Sequence, residues 1–355
     1  MNQEQLTVLN VGENLDNLMN LDPRGYGVCR ILYSAAREYT KEPLTVNSGK
    51  KLIETLKQGD LVYIMTGFVL LPFKKAEMDG IVSSMLLARA LVKGFNVKPV
   101  IICPRDCIKA VENLAYVIGL HFYDNIEALK QYPLSLAAIA FTKHEDEAEK
   151  QAEELMAEGL PAAVISIECP GANSLGVYHN AVGVDVSELE AKQDILFVKL
   201  KERGVLNIAI GDLGNELGLG ALKEHLEEYV PYAAQGGCQC GCNGGILASV
   251  KADNIITATV SDWGCYGLIG ALAYLKKDIN IMHTKEMEKD ALITASRSGM
   301  IDMYGDLIPA IDGCNLEMNT SIVSLMRECI ASAINLEKKC ATWFEKVIEL
   351  GFFNH

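Results

Sequence analysis

Long apolar runs are missing from this sequence. None approaches the roughly 18 consecutive residues a bilayer span needs, so no membrane-spanning helix is expected. The opening stretch, MNQEQLTVLNVGENLDNL, has no basic segment followed by an apolar core and does not read as a secretory signal. Positive charge is scarce: 32 Lys and Arg face 46 Asp and Glu, a formal net charge of −14. Such a surface repels phosphates, so neither nucleic acid nor an anionic membrane is an expected partner. It accommodates metal cations, or anions held through a metal, and equally serves solubility alone. The common nucleotide signatures are absent. GDLGNELGLG (211–220) is spaced G-x-x-G-x-x-x-G-x-G rather than G-x-G-x-x-G, and SGKK (48–51) lacks the upstream glycine of a phosphate loop. No nucleotide cofactor is expected.

What remains is ordinary globular composition, 50% hydrophobic and 22% charged, with enough chain for a large core. Eleven cysteines, an odd number without a signal segment, fit free thiols in a reducing compartment, and a cytoplasmic location is expected. From Gly59 onward the pattern alternates between buried strands and amphipathic helices. Strands are predicted at 61–68, 97–103, 135–142, 162–168, 205–210 and 255–260. Helices are predicted at 80–94, 108–119, 146–159, 186–204 and 220–230, and in CYGLIGALAYLKK. Ser187-x-x-Glu190 matches a capping box at the start of the 186–204 helix. Six such alternations predict βαβ crossovers and a mostly parallel sheet covered by helices on both faces. The first 55 residues and the region after about 280 read as helical, with 320–351 forming one long helix or two in succession. With no Pro/Gly/Ser linker and no internal repeat, residues 1–355 are read as a single α/β domain with helical additions at 1–55 and 320–355.

In an open α/β sheet ligands bind beyond the carboxyl ends of the strands, so the residues following each strand carry the chemistry. After the first strand come Lys74, Lys75, Glu77 and Asp79; after 162–168 come Glu168, Asn173, Tyr178, His179 and Asn180. After 205–210 come Asp212, Asn215 and Glu216, and after 255–260 come Ser261, Asp262 and Trp263. Four strands thus deliver carboxylates to one edge. Clustered carboxylates require a divalent cation, a substrate ammonium or a retained proton between them, and oxygen-only donors suit Mg²⁺ or Mn²⁺. Asp79 and Asp212 also read as plain helix N-caps. The loop 211–220 allows close approach of backbone to a ligand through Gly211, Gly214, Gly218 and Gly220. Lys74 or Lys75 could hold a carboxylate, although solvated lysines are the simpler reading.

A second unusual stretch is CQCGC, with Cys238, Cys240 and Cys242 among glycines. Such thiolates bind zinc or copper(I), but the spacing is not the C-x-x-C of common zinc sites, and a flexible loop with free thiols reads as well. Of six histidines only His179 falls in a predicted site loop; Cys103 and Cys107 read as inert packing.

TGF (66–68), E-x-D-G (77–80), IECPG (167–171) with G-x-Y (176–178), GDLGNELGLG, Ala252-Asp253 and S-D-W-G (261–264) occur in that order. Together they resemble the D-glutamate cyclase-like C-terminal domain family over roughly residues 50–320. The resemblance implies an α/β fold with an acidic cavity able to hold a divalent cation. A fused mitochondrial member, which carries a further N-terminal domain, cyclises D-glutamate to 5-oxo-D-proline with loss of water. Met78, Ile81 and Asp262 depart from the family's usual Thr, Pro and Asn, and the CQCGC cluster is not typical of it.

On this combined reading Glu77, Glu168 and Glu216 are the catalytic candidates, and Asp79, Asp212 and Glu216 the metal ligands. Substrate contacts are expected from Thr66, Gly67, Asn173, Tyr178, Gly211, Gly214, Asn215, Ser261 and Asp262. The expected cofactor is a divalent cation, Mg²⁺ or Mn²⁺, and the expected partner a small-molecule substrate; self-association into a homo-oligomer is left open. A metal-assisted lyase of the cyclase type is favoured over a divalent-metal-dependent phosphatase and over a non-catalytic binding protein.

Overall fold

The computed structural model describes residues 1–336 and 341–354. Three helices come first: α1 (Gln3–Met19), α2 (Val28–Thr40) and α3 (Leu44–Thr55). β1 (Leu61–Thr66) is followed by a small hairpin of β2 (Val69–Leu70) and β3 (Lys75–Ala76), then α4 (Ile81–Phe95). Next are β4 (Lys98–Pro104), α5 (Ile108–Val117), β5 (His121–Tyr123), α6 (Ile126–Gln131), β6 (Ser135–Phe141) and α7 (Glu145–Glu158). β7 (Ala163–Ile167) leads through a long loop to α8 (Gln193–Glu202), then β8 (Leu206–Gly211), α9 (Lys223–Tyr229) and β9 (Asn254–Thr257). The chain closes with α10 (Ser261–Leu275), α11 (Lys285–Arg297), α12 (Leu316–Leu336) and α13 (Ala341–Glu349). Part of the predicted 320–351 helix, 337–340, lies outside the described residues.

Seven strands form one parallel sheet in the order β5-β6-β4-β1-β7-β8-β9. β1 is central, with Tyr63 opposite Val100 on one side and Val164 on the other. Every residue of LVYIMT is buried, as expected of a parallel strand covered on both faces. The chain builds outward from β1 first toward β4 and then toward β7, so the strand order reverses between β1 and β7 and a crevice opens beyond their ends. β7, β8 and β9 continue side by side from β1, so the residues that follow these four strands share one edge.

The terminal helices are part of the same core. α10 is apolar on all sides, with fourteen of its fifteen residues buried. A side chain at Gly264 would meet Ile210 of the sheet, one at Gly267 would meet Thr45 of α3, and one at Gly270 would meet Leu15 of α1 and Ile330 of α12. These small positions seat α10 between the sheet and the helices. Among the described residues no helix is long and apolar enough to cross a membrane.

Two boundaries differ from expectation for tertiary reasons. The helix predicted at 186–204 begins only at Gln193, and the capping box does not form. The Ser187 hydroxyl instead accepts from the Tyr178 amide, and Glu190 accepts from the Val69 amide. α10 starts earlier than predicted, at Ser261, because a carboxylate from another segment takes its first amides. The β2–β3 hairpin, β5 and α6 went unpredicted; each is too short to show a period.

Candidate active site

Asp79 and Asp262 cap each other's helices. Asp79 Oδ1 accepts from the Asp262 amide (2.8 Å) and Oδ2 from the Ser261 amide (3.1 Å), closing the start of α10. Asp262 Oδ1 accepts from the amides of Gly80 (2.8 Å) and Ser83 (3.2 Å), closing the start of α4. The helix termini supply partial positive charge and free N–H groups, which is what two buried carboxylates require. Asp262 therefore faces α4 and Tyr266 and does not line the cavity.

Glu168, at the tip of β7, holds φ +42°, a left-handed conformation uncommon for a side-chain-bearing residue. Its Oε2 accepts from the Ser261 hydroxyl at 2.6 Å. Glu216 is tied more tightly: its oxygens accept from the amides of Asp212 (2.9 Å), Leu213 (2.8 Å) and Gly214 (2.6 Å). Gly211 has no room for a side chain because Glu216 Cδ would lie 2.9 Å away. Glu216 thus shapes the 211–216 turn and presents Asp212, whose carboxylate accepts no hydrogen bond from the described residues.

These groups converge on a cavity of about 450 Å³ beyond the ends of β1, β7 and β8. Among the described residues five carboxylates line it, Asp22, Glu77, Glu168, Asp212 and Asp312, with Arg24 the one lining cation. Phe68, Leu70, Leu71, Val182 and Met303 supply apolar wall. Asp79, Asp212 and Asp312 each offer an oxygen within 4.8 Å of the others, and so do Glu168, Asp212 and Glu216. A larger hollow of about 850 Å³ lies among surface charges such as Arg105, Lys143 and Lys150, away from these carboxylates.

Burial first, and mutual repulsion second, favours the protonated form of Glu77, Asp79, Glu168 and Asp212. Burial and then Asp312 push Glu77 well above the carboxylate range. Burial and then Asp262 do so for Asp79, burial and then Glu216 for Glu168, and burial and then Asp312 for Asp212. Asp262 rises to about 7, chiefly by burial. Although burial disfavours its charge, Asp312 and Asp212 hold the Arg24 guanidinium above its usual range. Arg24 donates to Asp312 Oδ2 at 3.0 Å and to the Thr259 carbonyl.

Of the predicted residues, Glu77, Glu168, Asp212 and Asn215 line the cavity, and Asp79, Glu216 and Ser261 stand directly behind them. Thr66 is buried at the end of β1, and its hydroxyl has no partner among the described residues. Gly67 and Gly214 carry positive φ in tightly packed turns. Asn173 and Tyr178 do not line the cavity. Asn173 braces its own loop through the amides of Leu175 and Val177 and the Gly245 carbonyl. The Tyr178 hydroxyl donates to Asp194. Lys74 and Lys75 are exposed. Sequence reasoning missed Arg24, Asp22 and Asp312, which come from loops outside the βα units; the available signal was the turn-forming DPRGYG and AIDGC segments.

Glu190 gives a separable pH prediction. Its Oε1 accepts from Val69, its Oε2 has no partner, and burial lifts it from 4.5 to about 8. Between those pH values the native state keeps a proton that the unfolded chain has lost. Stability therefore falls as pH rises across the window, by up to about 1.4 kcal/mol per pH unit. Glu190→Gln removes this slope: urea midpoints should match wild type near pH 4 and exceed it at pH 8. Equal midpoints at pH 8 would show that the group is charged in the native state.

The chain is 33% identical over 114 residues to the human protein "D-glutamate cyclase, mitochondrial"; the match takes in 32% of this chain and 17% of that protein. The profile of the family described as "D-glutamate cyclase-like, C-terminal" matches residues 15–327. That range begins earlier than the expected 50 and so takes in Asp22 and Arg24, cavity residues that the motifs had not reached. With most of its length matched, the chain belongs to the D-glutamate cyclase-like, C-terminal family.

Proposed function

We propose that this protein is a lyase that closes D-glutamate, or a close amino-acid analogue, to the lactam 5-oxo-D-proline and water, with Mg²⁺ or Mn²⁺ as cofactor. The observation that carries the reading is the convergence of Glu77, Asp79, Glu168, Asp212 and Asp312 around one amino-acid-sized cavity. Family membership and the partial likeness to the human cyclase support it.

The residues present fit a divalent cation. Asp79, Asp212 and Asp312 form an all-oxygen donor set, and the Asp212 oxygens are uncommitted. A cation held there supplies a Lewis acid for the carboxyl under attack.

Ring closure forms a bond from nitrogen to the side-chain carboxyl carbon and breaks one C–O bond. Two protons leave the ammonium, and both end on the departing water. Glu77 lines the cavity, its carboxyl hydrogen-bonded to none of the described residues; in its ionised form, which the substrate ammonium favours, it takes one proton from nitrogen and passes it to the departing oxygen. Glu168, fixed by Ser261, retains a proton by burial, delivers it to the leaving oxygen and regains the second proton from nitrogen. Arg24 positions Asp312 and offsets the charge of the substrate's carboxylates. The apolar wall of Phe68, Leu70 and Leu71 packs the methylenes and holds the two reacting ends together.

The test is incubation with D-glutamate, with and without Mn²⁺, followed by chiral chromatography of 5-oxoproline. Metal-dependent formation of the D product, with little from L-glutamate, is expected. No product from either enantiomer in the presence of metal overturns the proposal. Phosphate release from generic esters would then favour the phosphatase reading, and tight ligand binding without turnover a binding module.

A further inference from the structure

The strongest unexplained feature lies outside the acidic cavity. Cys238, Cys240 and Cys242 alternate along a glycine-rich loop, and the fold brings His179, from the loop after β7, onto the same point. His179 Nε2 is 3.2 Å from Cys240 Sγ and 3.7 Å from Cys242 Sγ. Cys238 Sγ is 3.4 Å from Cys242 Sγ and 3.8 Å from Cys240 Sγ. These separations are too long for a disulfide, whose sulfurs lie about 2.05 Å apart. They lie near the edges of a tetrahedral site, two of them on those edges and two, 3.2 and 3.4 Å, about 0.4 Å short. With metal–sulfur bonds of about 2.3 Å and metal–nitrogen bonds of about 2.05 Å, the edges are about 3.6–3.8 Å.

The surroundings are those of bound thiolates. The amides of Cys242 and Gly244 point at Cys240 Sγ (3.5 Å) and Cys242 Sγ (3.3 Å), and Asn173 Nδ2 approaches Cys242 Sγ at 3.6 Å. Donors aimed at sulfur stabilise its negative charge and orient it. Gly241 at φ +79° folds the loop so that three alternate cysteines can face one point. His179 is almost fully buried, and its Nε2 is directed at the sulfurs rather than at solvent.

We propose that His179, Cys238, Cys240 and Cys242 bind a structural Zn²⁺. Three sulfurs and one imidazole in tetrahedral array select zinc, and four protein donors leave no open position for substrate. The ion's function is to hold the cysteine loop against the cavity wall. Residues 180–182, next to His179, line the cavity. Gln239 is stitched to the same wall, its amide to the Gly183 carbonyl (2.7 Å) and its side chain to the Val182 carbonyl (2.8 Å).

The experiment is metal analysis and cobalt substitution on the full chain. Protein purified without chelator, then dialysed, should retain about one zinc per chain. Exchange with Co²⁺ should give intense tetrahedral bands and a sulfur-to-cobalt charge-transfer band, which a carboxylate site cannot produce. Cys240→Ser, at the exposed ligand, should lose the charge-transfer signal in part and weaken zinc binding by at least about 10-fold. Cys240→His keeps four donors and should retain zinc. The proposal is overturned if zinc-supplemented, dialysed wild type holds no zinc, or if the cobalt spectrum is the same in Cys240→Ser. Neither result bears on the Mn²⁺ dependence of turnover, so this site and the acidic cavity are tested independently.

Discussion

Asp212→Asn should abolish divalent-metal binding and turnover together while leaving the fold intact. Asp212 is common to both groups of carboxylates that bring oxygens within 4.8 Å, so any cation in the cavity meets it. Its carboxylate accepts no hydrogen bond from the described residues, and replacing it with an amide therefore breaks no protein contact. The amide removes one ionisable carboxyl from a set in which burial and the neighbouring Asp312 already oppose ionisation. Thermal stability should stay level or rise, while Mn²⁺ affinity falls by at least about 100-fold. Asp79→Asn behaves differently. Asp79 accepts amides from Gly80 and Asp262 on one oxygen and from Ser261 on the other. An asparagine must turn an N–H₂ toward at least one of these donors, adding a stability loss of about 1–3 kcal/mol to the loss of metal. Calorimetric titration with Mn²⁺, beside thermal unfolding, separates the two. Wild-type Mn²⁺ affinity in Asp212→Asn would remove Asp212 from the metal site.

The contrast between these two carboxylates also marks what the sequence can disclose. The strands were legible because parallel strands covered on both faces are continuous apolar runs, and VKPVIIC or AAVISIE admits few other readings. The edge carrying Glu77, Asp79, Glu168 and Asp212 followed from strand direction alone. What sequence could not disclose is which carboxylate answers to backbone and which to ligand. Asp79 and Asp262 have the same local signature as Asp212, an acidic residue just beyond a strand. Only packing shows that the first two exchange caps across α4 and α10. Arg24 and Asp312 were hidden for another reason. They are 288 positions apart, in loops without periodicity, and meet only when α1, α12 and the sheet close on α10. The Ser187-x-x-Glu190 pattern failed because both side chains found stronger partners, the Tyr178 and Val69 amides, than the helix start could offer.

Gly80→Ala should be among the most damaging single-methyl changes in the chain. Gly80 joins the two strand tips on which the cavity rests. A Cβ there would lie 2.6 Å from Glu168 Cβ, 2.7 Å from Thr66 Oγ1 and 2.8 Å from the Ile167 carbonyl oxygen. None of these is the free end of a flexible side chain. The residue also sits at φ +79°, which alone costs an alanine about 1–2 kcal/mol. Overpacking between β1 and β7 adds about 1–3 kcal/mol. Relief requires Glu168 to move, and Glu168 is held at Ser261 and already in a left-handed conformation. The loss in urea unfolding should therefore be about 2–5 kcal/mol, and the fraction that still folds should have a displaced Glu168 and reduced turnover. Gly204→Ala is the matched control. Its φ is +76°, but nothing lies within 4 Å of the added methyl, so only the conformational part applies. If Gly80→Ala proves no more destabilising than Gly204→Ala, the strand tips can yield, and Glu168 is not held rigidly enough to serve as a positioned acid.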